Sequence, residues 1–124
     1  MFQATYKQNG ITVTFSSTLR NVIRLRRFSD LMPVDQDAAD GDIRVMFRMI
    51  AATAISVKGI NWQPPMDTAS AADLDQSYET ILDAIDIQVL RALDETASAL
   101  FTSNADKVEG PKEALTDVER ADPN

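Results

Sequence analysis

The sequence predicts a mainly helical α+β fold in which an N-terminal β-hairpin precedes three or four α-helices. The first observation is that Asn9-Gly10 lies between two segments with alternating polar and apolar residues. The second is that several segments beyond residue 18 carry apolar residues at helical spacing. We expect one small domain over residues 1–101, followed by a flexible, disordered acidic tail over residues 102–124.

The hairpin is predicted over residues 2–15, because a two-residue Asn-Gly turn fixes the register of the strands on either side. In that register Tyr6 lies opposite Val13, and Ala4 lies opposite Phe15. These four side chains share one face of the hairpin. We expect that face to pack on the helices or on another chain, since an isolated hairpin is marginally stable in water.

The helices are expected at about residues 19–31, 43–57, 71–85 and 87–101. The second is apolar nearly all round, which is typical of a central, buried helix, and Lys58-Gly59 suits its C-terminal end. Ser70 and Asp73 are expected to begin the third helix. Asp86 is suited to begin a fourth, but no Gly or Pro lies there, so one continuous helix is the alternative.

The composition excludes several kinds of functional site. The chain has 124 residues with no Cys and no His, which removes disulfides, thiolate metal sites, Cys nucleophiles and the commonest general base. The acidic residues of the third helix fall on one helical face, whereas a hard cation needs oxygens that converge from several directions. We therefore expect no catalytic residue, no metal ion, no cofactor and no enzymatic activity.

The charge is divided unevenly along the chain. Residues 1–58 hold eight Lys/Arg and five Asp/Glu, a net charge of +3, whereas residues 59–124 hold four and fourteen, a net charge of −10. Excess acid disfavours nonspecific binding to nucleic acid. The longest apolar stretch, residues 43–57, is too short to span a bilayer, and no signal peptide is visible. We expect a cytoplasmic protein that binds neither nucleic acid nor membrane.

The first group of candidate partner-binding residues lies where the two differently charged halves meet. Trp62, the only tryptophan, precedes the rigid pair Pro64-Pro65. A tryptophan beside proline is either an anchor for a partner or a corner of the core, with its ring buried and its N–H bonded locally.

Two further groups lie on predicted helices. Arg20, Arg24 and Arg27 share one face of the first helix, where they either contact an acidic partner or form an exposed face that pairs within the chain. Leu90 and Leu93 belong to the apolar stripe of the fourth helix, which is most simply core. A surplus apolar face there is also suited to receive a partner helix.

Two segments, Gly59-Ile60-Asn61-Trp62 and Ile85-Asp86-Ile87-Gln88-Val89-Leu90, lie in a characteristic order after the hairpin, the Arg-rich helix and the apolar helix. This order, over roughly residues 2–101, resembles the small tail assembly chaperones of long-tailed bacteriophages and of defective prophage tail elements. The resemblance implies a non-enzymatic protein of the host cytoplasm. It would bind and solubilise the tape-measure protein while tail tube subunits polymerise around it. The implied partners are tape-measure or tail tube proteins, and self-association is compatible with the same role.

Two other functions fit the same sequence. One is a structural virion subunit, such as a connector or baseplate component, whose hairpin extends the sheet of a neighbour. The other is an acidic decoy that inhibits a nucleic-acid-binding protein by mimicking the spacing of phosphates, with binding that weakens steeply as salt rises.

Overall fold

The computed structural model describes the backbone of residues 2–109 and the side chains of residues 2–101. It confirms the α+β class, with an N-terminal hairpin and four helices, and adds a third strand to the hairpin. The elements in chain order are β1 (Gln3–Gln8), β2 (Ile11–Ser16), α1 (Leu19–Leu31), α2 (Gly41–Thr53), β3 (Ala54–Lys58), α3 (Ala71–Ala84) and α4 (Ile87–Glu109).

The hairpin has the predicted register. Tyr6 pairs with Val13 and Ala4 pairs with Phe15 across an antiparallel ladder. The turn has positive φ at both Asn9 and Gly10, 54° and 81°, which matches the twist of a two-residue hairpin. The apolar face is buried against the helices, with α4 in contact with both strands.

The prediction of one helix over residues 43–57 is wrong at its C-terminal end. The helix begins at Gly41 and ends at Thr53, and β3 follows without an intervening loop. β3 pairs antiparallel with β2, so that Val57 lies opposite Val13, and a bulge near Thr14 places Ile55 between two paired residues. The β-branched residues 53, 55 and 57 alternate along the chain, and pairing covers the edge of β2 that the hairpin leaves open.

The last carbonyls of α2 are bonded by side chains of α1. Arg24 donates from Nη2 to the Ala51 carbonyl at 2.8 Å and from Nε to the Ala52 carbonyl at 3.1 Å. Asn21 donates from Nδ2 to the Thr53 carbonyl at 3.5 Å. The last four carbonyls of a helix lack donors within it, so these bonds let the chain pass directly from helix to strand.

The start of α3 is a capping box, as the sequence predicts. The Asp73 amide donates to Ser70 Oγ at 3.1 Å, and the Ser70 amide donates to Asp73 Oδ2 at 3.0 Å. Asp86 accepts a bond from the Val89 amide at 2.9 Å, so it begins α4 as a separate helix.

α4 extends to Glu109, beyond the predicted helix end at residue 101. The rest of the predicted tail, residues 110–124, lies outside the described residues. No helix in the described part of the chain is both long enough and apolar enough to cross a bilayer.

Candidate functional site

The proline segment, defined here as residues 59–69, joins β3 to α3 and contains the predicted junction. It begins at Gly59, where φ is +90° and a Cβ atom would overlap the carbonyl oxygen of Gly10 in the hairpin turn. Only glycine fits both the left-handed backbone and this close approach. The segment is therefore fixed against the hairpin at its first residue.

Trp62 lies in the core, as one of the two interpretations of the sequence proposed. Its side chain is 4% exposed, and its ring meets that of Phe47 edge to face with centroids 6.3 Å apart. The indole N–H donates to Ser77 Oγ on α3 at 2.9 Å. Trp62 therefore joins α2 to α3 at the corner where the chain turns, with its polar atom satisfied.

Arg24 holds the proline segment against α1. Besides its bonds to α2, it donates to the Pro65 carbonyl at 2.9 Å and to Asp67 Oδ1 at 2.6 Å. Arg27 donates to the carbonyls of Asp67 and Ala69 at 2.8 Å and 2.7 Å. Both arginines therefore pair within the chain, Arg27 with the proline segment and Arg24 with the proline segment and α2.

A groove of about 360 Å³ runs between the proline segment and α3. Its apolar lining includes Trp62, Pro65 and Met66, and Met66 is 75% exposed. The rest of the lining is mostly polar or acidic and consists of Gln63, Thr68, Ala69, Asp73, Gln76, Ser77 and Thr80. Such a mixture of an apolar strip and a polar rim suits the side chains of an amphipathic peptide.

The charge at the end of this groove is set by the capping box. The Ser70 backbone N–H, together with the Ser70 hydroxyl, holds the pKa of Asp73 below its usual value. Asp73 is therefore a fixed negative charge at the N-terminus of α3, where the helix dipole also favours an anion.

A second polar cluster joins the loop before α2 to α3. Asp40 accepts bonds from the Tyr78 hydroxyl at 2.7 Å and from Arg44 Nε at 2.8 Å, and these lower the pKa of Asp40. Burial, and then the bond to Asp40, raise the pKa of Tyr78 to about 12. The Arg44 guanidinium lies 4.3 Å from the Tyr78 ring centroid, so the cluster stabilises the fold through both charge and stacking.

The structure separates the predicted partner-binding residues into three places. Trp62 and Pro65 line the groove on α3, and Pro64 is half-buried beside them. Leu90 and Leu93 are buried in the core, Leu93 completely, with Leu90 at the floor of a further groove between α3 and α4.

The three arginines meet in another groove, of about 280 Å³, lined by Arg20, Ile23, Arg24, Arg27 and Asp67.

Sequence reasoning missed most of the residues that line the groove between the proline segment and α3, and three of them are instructive. Met66, Gln76 and Ser77 were not among the candidates. The signal for Ser77 was its position three residues after Leu74 and one before Tyr78, which places it beside the core face of α3. Met66 has no local signal, because its exposure depends on how Arg24 and Arg27 hold the segment.

Among the described residues, no group of three or more His, Cys, Asp or Glu side chains is arranged to hold a metal ion. Comparisons with protein-family models, with curated proteins and with solved structures found no match to this chain.

Proposed function

We propose that this chain is a non-enzymatic phage tail assembly chaperone of the host cytoplasm. It would bind the tape-measure protein and keep it soluble while the tail tube polymerises. The proposal rests on the order of sequence features described above. The structural observation that supports it is the open groove between the proline segment and α3, with the exposed Met66 at its edge.

The groove suits a helical, apolar client in two respects. Pro65 and Met66 offer apolar contact beside the nearly buried Trp62, and methionine adapts to differently shaped side chains because its thioether chain is unbranched and flexible. The polar rim, with Gln76 and Thr80 on α3, stays hydrated when the groove is empty. This hydration disfavours aggregation of the free protein. A transient escort needs this combination of contact and solubility.

Co-expression with the tape-measure protein of the same tail tests the proposal. We expect the wild-type chain to give a soluble complex and the variant Met66→Asp to lose it, because a carboxylate would be desolvated in the contact. Val45→Asp is a matched control, since Val45 is exposed on α2, outside this groove. If the tape-measure protein stays insoluble and unbound in the presence of the wild-type chain, the proposal is wrong.

The alternative of a structural virion subunit has one feature in its favour. β1 and β3 form the two edges of the sheet, and an edge strand can accept a strand from another protein. Quantitative mass spectrometry of purified particles distinguishes the two functions. A chaperone is expected to be absent from the finished particle, whereas a structural subunit is present in a fixed stoichiometry.

A further inference from the structure

The outer edge of β1 presents backbone groups that point away from the rest of the sheet. The Ser17 amide donates to the Phe2 carbonyl at 2.8 Å, so these two residues form a hydrogen-bonded pair that extends the β1–β2 ladder. Hydrogen-bonded and non-hydrogen-bonded pairs alternate along an antiparallel ladder. The backbone N–H and C=O groups of Gln3, Thr5 and Lys7 therefore face outward, and they have no hydrogen-bond partner among the described residues.

The opposite edge of the sheet, on β3, is partly covered. By the same alternation Val13 bonds to β1, so Thr12 and Thr14 bond to β3, and the backbone groups of Val57, opposite Val13, face outward. The Gln63 side chain of the proline segment donates from Nε2 to the Val57 carbonyl at 3.3 Å. A strand that approached β3 would have to displace this bond. β1 is therefore the edge that is open to a further strand.

The inner face of β1 offers apolar contact to such a strand. Phe2, Ala4 and Tyr6 share this face, because successive side chains along a strand alternate between its two sides. α4 contacts β1, and Tyr6 is buried, whereas Ala4 is half-buried and Phe2 is 59% exposed. Apolar side chains on a neighbouring strand would cover Phe2 and Ala4 and remove their surface from water.

The outer face of the sheet is basic. None of the three strands contains Asp or Glu. Lys7 and Lys58 both pair with Thr12, one from each side, so the two lysines lie in one cross-strand row. Lys7 is exposed and belongs to the strand at the open edge. Opposite charges on neighbouring strands stabilise their pairing and like charges destabilise it, so this face selects a strand that carries acidic residues.

We propose that the outer edge of β1 accepts an extended segment of another protein, in which apolar and acidic residues alternate, as a fourth strand of the sheet. The backbone of the segment bonds to Gln3, Thr5 and Lys7. Its apolar side chains pack on Phe2 and Ala4, and a carboxylate on its other face pairs with Lys7. This surface is separate from the groove on α3 that suits a helical client, so the two can be occupied together.

Titration of the isotope-labelled full chain with synthetic peptides, followed by nuclear magnetic resonance, tests the proposal. The probe is a short capped peptide in which Val and Glu alternate, and it is compared with a peptide in which Lys replaces Glu. We expect the Glu peptide to shift the amide signals of Gln3, Thr5 and Lys7 and to bind with a dissociation constant about fivefold lower than that of the Lys peptide. A Glu peptide with N-methylated backbone amides keeps its side chains but lacks donors, and it is expected to lose binding.

Two charge-reversal variants give a matched comparison. Lys7→Glu is expected to reverse the preference, so that the Lys peptide binds more tightly than the Glu peptide. Lys58→Glu is the control, because Lys58 lies in the same row at the other edge of the sheet, and it is expected to keep the preference for the Glu peptide.

Thr5→Pro removes one outward N–H without removing a bond to β2, and it is expected to weaken the binding of both peptides. Circular dichroism checks that each variant is folded. If Thr5→Pro unfolds, the N-methylated peptide tests the same backbone bonds on the wild-type chain.

Three results would overturn the proposal. The first is a Glu peptide that shifts no amide signal of β1 or shifts those of β3 instead. The second is equal binding of the Glu peptide and either its Lys or its N-methylated counterpart. The third is movement of the β1 amide signals with the concentration of the chain alone, since a second copy would then occupy the edge. None of these results bears on the Met66 variant, so the chaperone proposal stands or falls separately.

Discussion

Arg20 and Arg24 lie one helical turn apart on α1 in opposite environments. The side chain of Arg24 is 14% exposed and bonds to both α2 and the proline segment, with its ion pair to Asp67 at 2.6 Å. The side chain of Arg20 is 80% exposed and approaches Asp67 at 3.7 Å. Arg24 therefore bonds within the interior of the fold, whereas Arg20, one turn earlier on the same helix, lies on its surface.

The difference arises from what covers the helix rather than from the helix itself. The proline segment lies over Arg24 and Arg27 and leaves the Leu19 and Ile23 side uncovered. Buried hydrogen bonds to a charged group are costly to break, whereas an exposed ion pair contributes little. The inner face of α1 should therefore contribute more to the stability of the fold than the outer face does.

The largest effect is expected from removing Arg24. Arg24→Ala leaves the carbonyls of Ala51, Ala52 and Pro65 without this donor, and we expect the free energy of unfolding to fall by about 3 kcal/mol. Urea denaturation followed by Trp62 fluorescence measures it. Arg24→Lys is the informative partner variant, since lysine keeps the charge but lacks the planar fork. A loss no larger than that of an ordinary surface substitution would contradict the proposed difference between Arg24 and Arg20.

A smaller effect is expected at the next contact along the same face. Asn21 is buried and donates to the Ser16 carbonyl at 3.0 Å as well as to Thr53. We expect Asn21→Ala to lower the free energy of unfolding by roughly 1.5 kcal/mol, because both carbonyls lose a donor away from water. Amide hydrogen exchange should show the largest loss of protection at the start of β3. Equal loss in β1 would argue against a local role.

The pH dependence of stability should distinguish the role of Arg24 from that of Arg44. Arg24 bonds mostly to carbonyls, which do not titrate, whereas Arg44 bonds to Asp40, whose pKa the Tyr78 and Arg44 bonds hold below the usual 3.8. A carboxyl group whose pKa is lower in the folded than in the unfolded chain stabilises the fold at pH values above its unfolded pKa. This stabilisation is lost as the pH falls through the folded pKa.

We therefore expect stability to decline as pH falls from about 4 toward the lowered pKa of Asp40. Asp40→Asn should make this decline shallower, whereas Arg24→Ala should lower stability at every pH. Thermal unfolding at a series of pH values gives both. If stability declines equally with falling pH in Asp40→Asn and in the wild type, the cluster of Asp40, Arg44 and Tyr78 does not contribute to this pH dependence.

The smallest effect on stability is expected on the outer face. Arg20→Ala and Ile23→Ser should each change the free energy of unfolding by no more than about 0.5 kcal/mol, because both side chains are mostly in water. The same urea denaturation measures this. A loss comparable to that of Arg24→Ala would show that the outer face also supports the fold.

The parts of the fold that local chemistry determines were predictable. The Asn9-Gly10 turn fixes the hairpin register, and the Ser70–Asp73 capping box fixes the start of α3, each within a few residues of chain. The end of α2 was not predictable, because the side chains that bond to its last carbonyls, Asn21 and Arg24, are far away in sequence. A run of apolar residues with both helical and alternating patterns is resolved only by such distant partners.

The candidate site shows the same limit. That Trp62 forms a corner of the core was one of two interpretations of the sequence, and its partner Ser77 was hidden among ordinary helix residues. Helical spacing placed Arg20 and Arg24 together, but only the path of the proline segment separates a buried arginine from an exposed one.

The direct passage from α2 into β3 also sets an order of events during folding. Residues 2–58 contain all three strands together with α1 and α2, so the sheet can form while the rest of the chain is still being synthesised. The contacts of Arg24 with Pro65 and Asp67 require chain that emerges later. We therefore expect a nascent intermediate with a complete but weakly held sheet, which becomes stable only when the proline segment closes over α1.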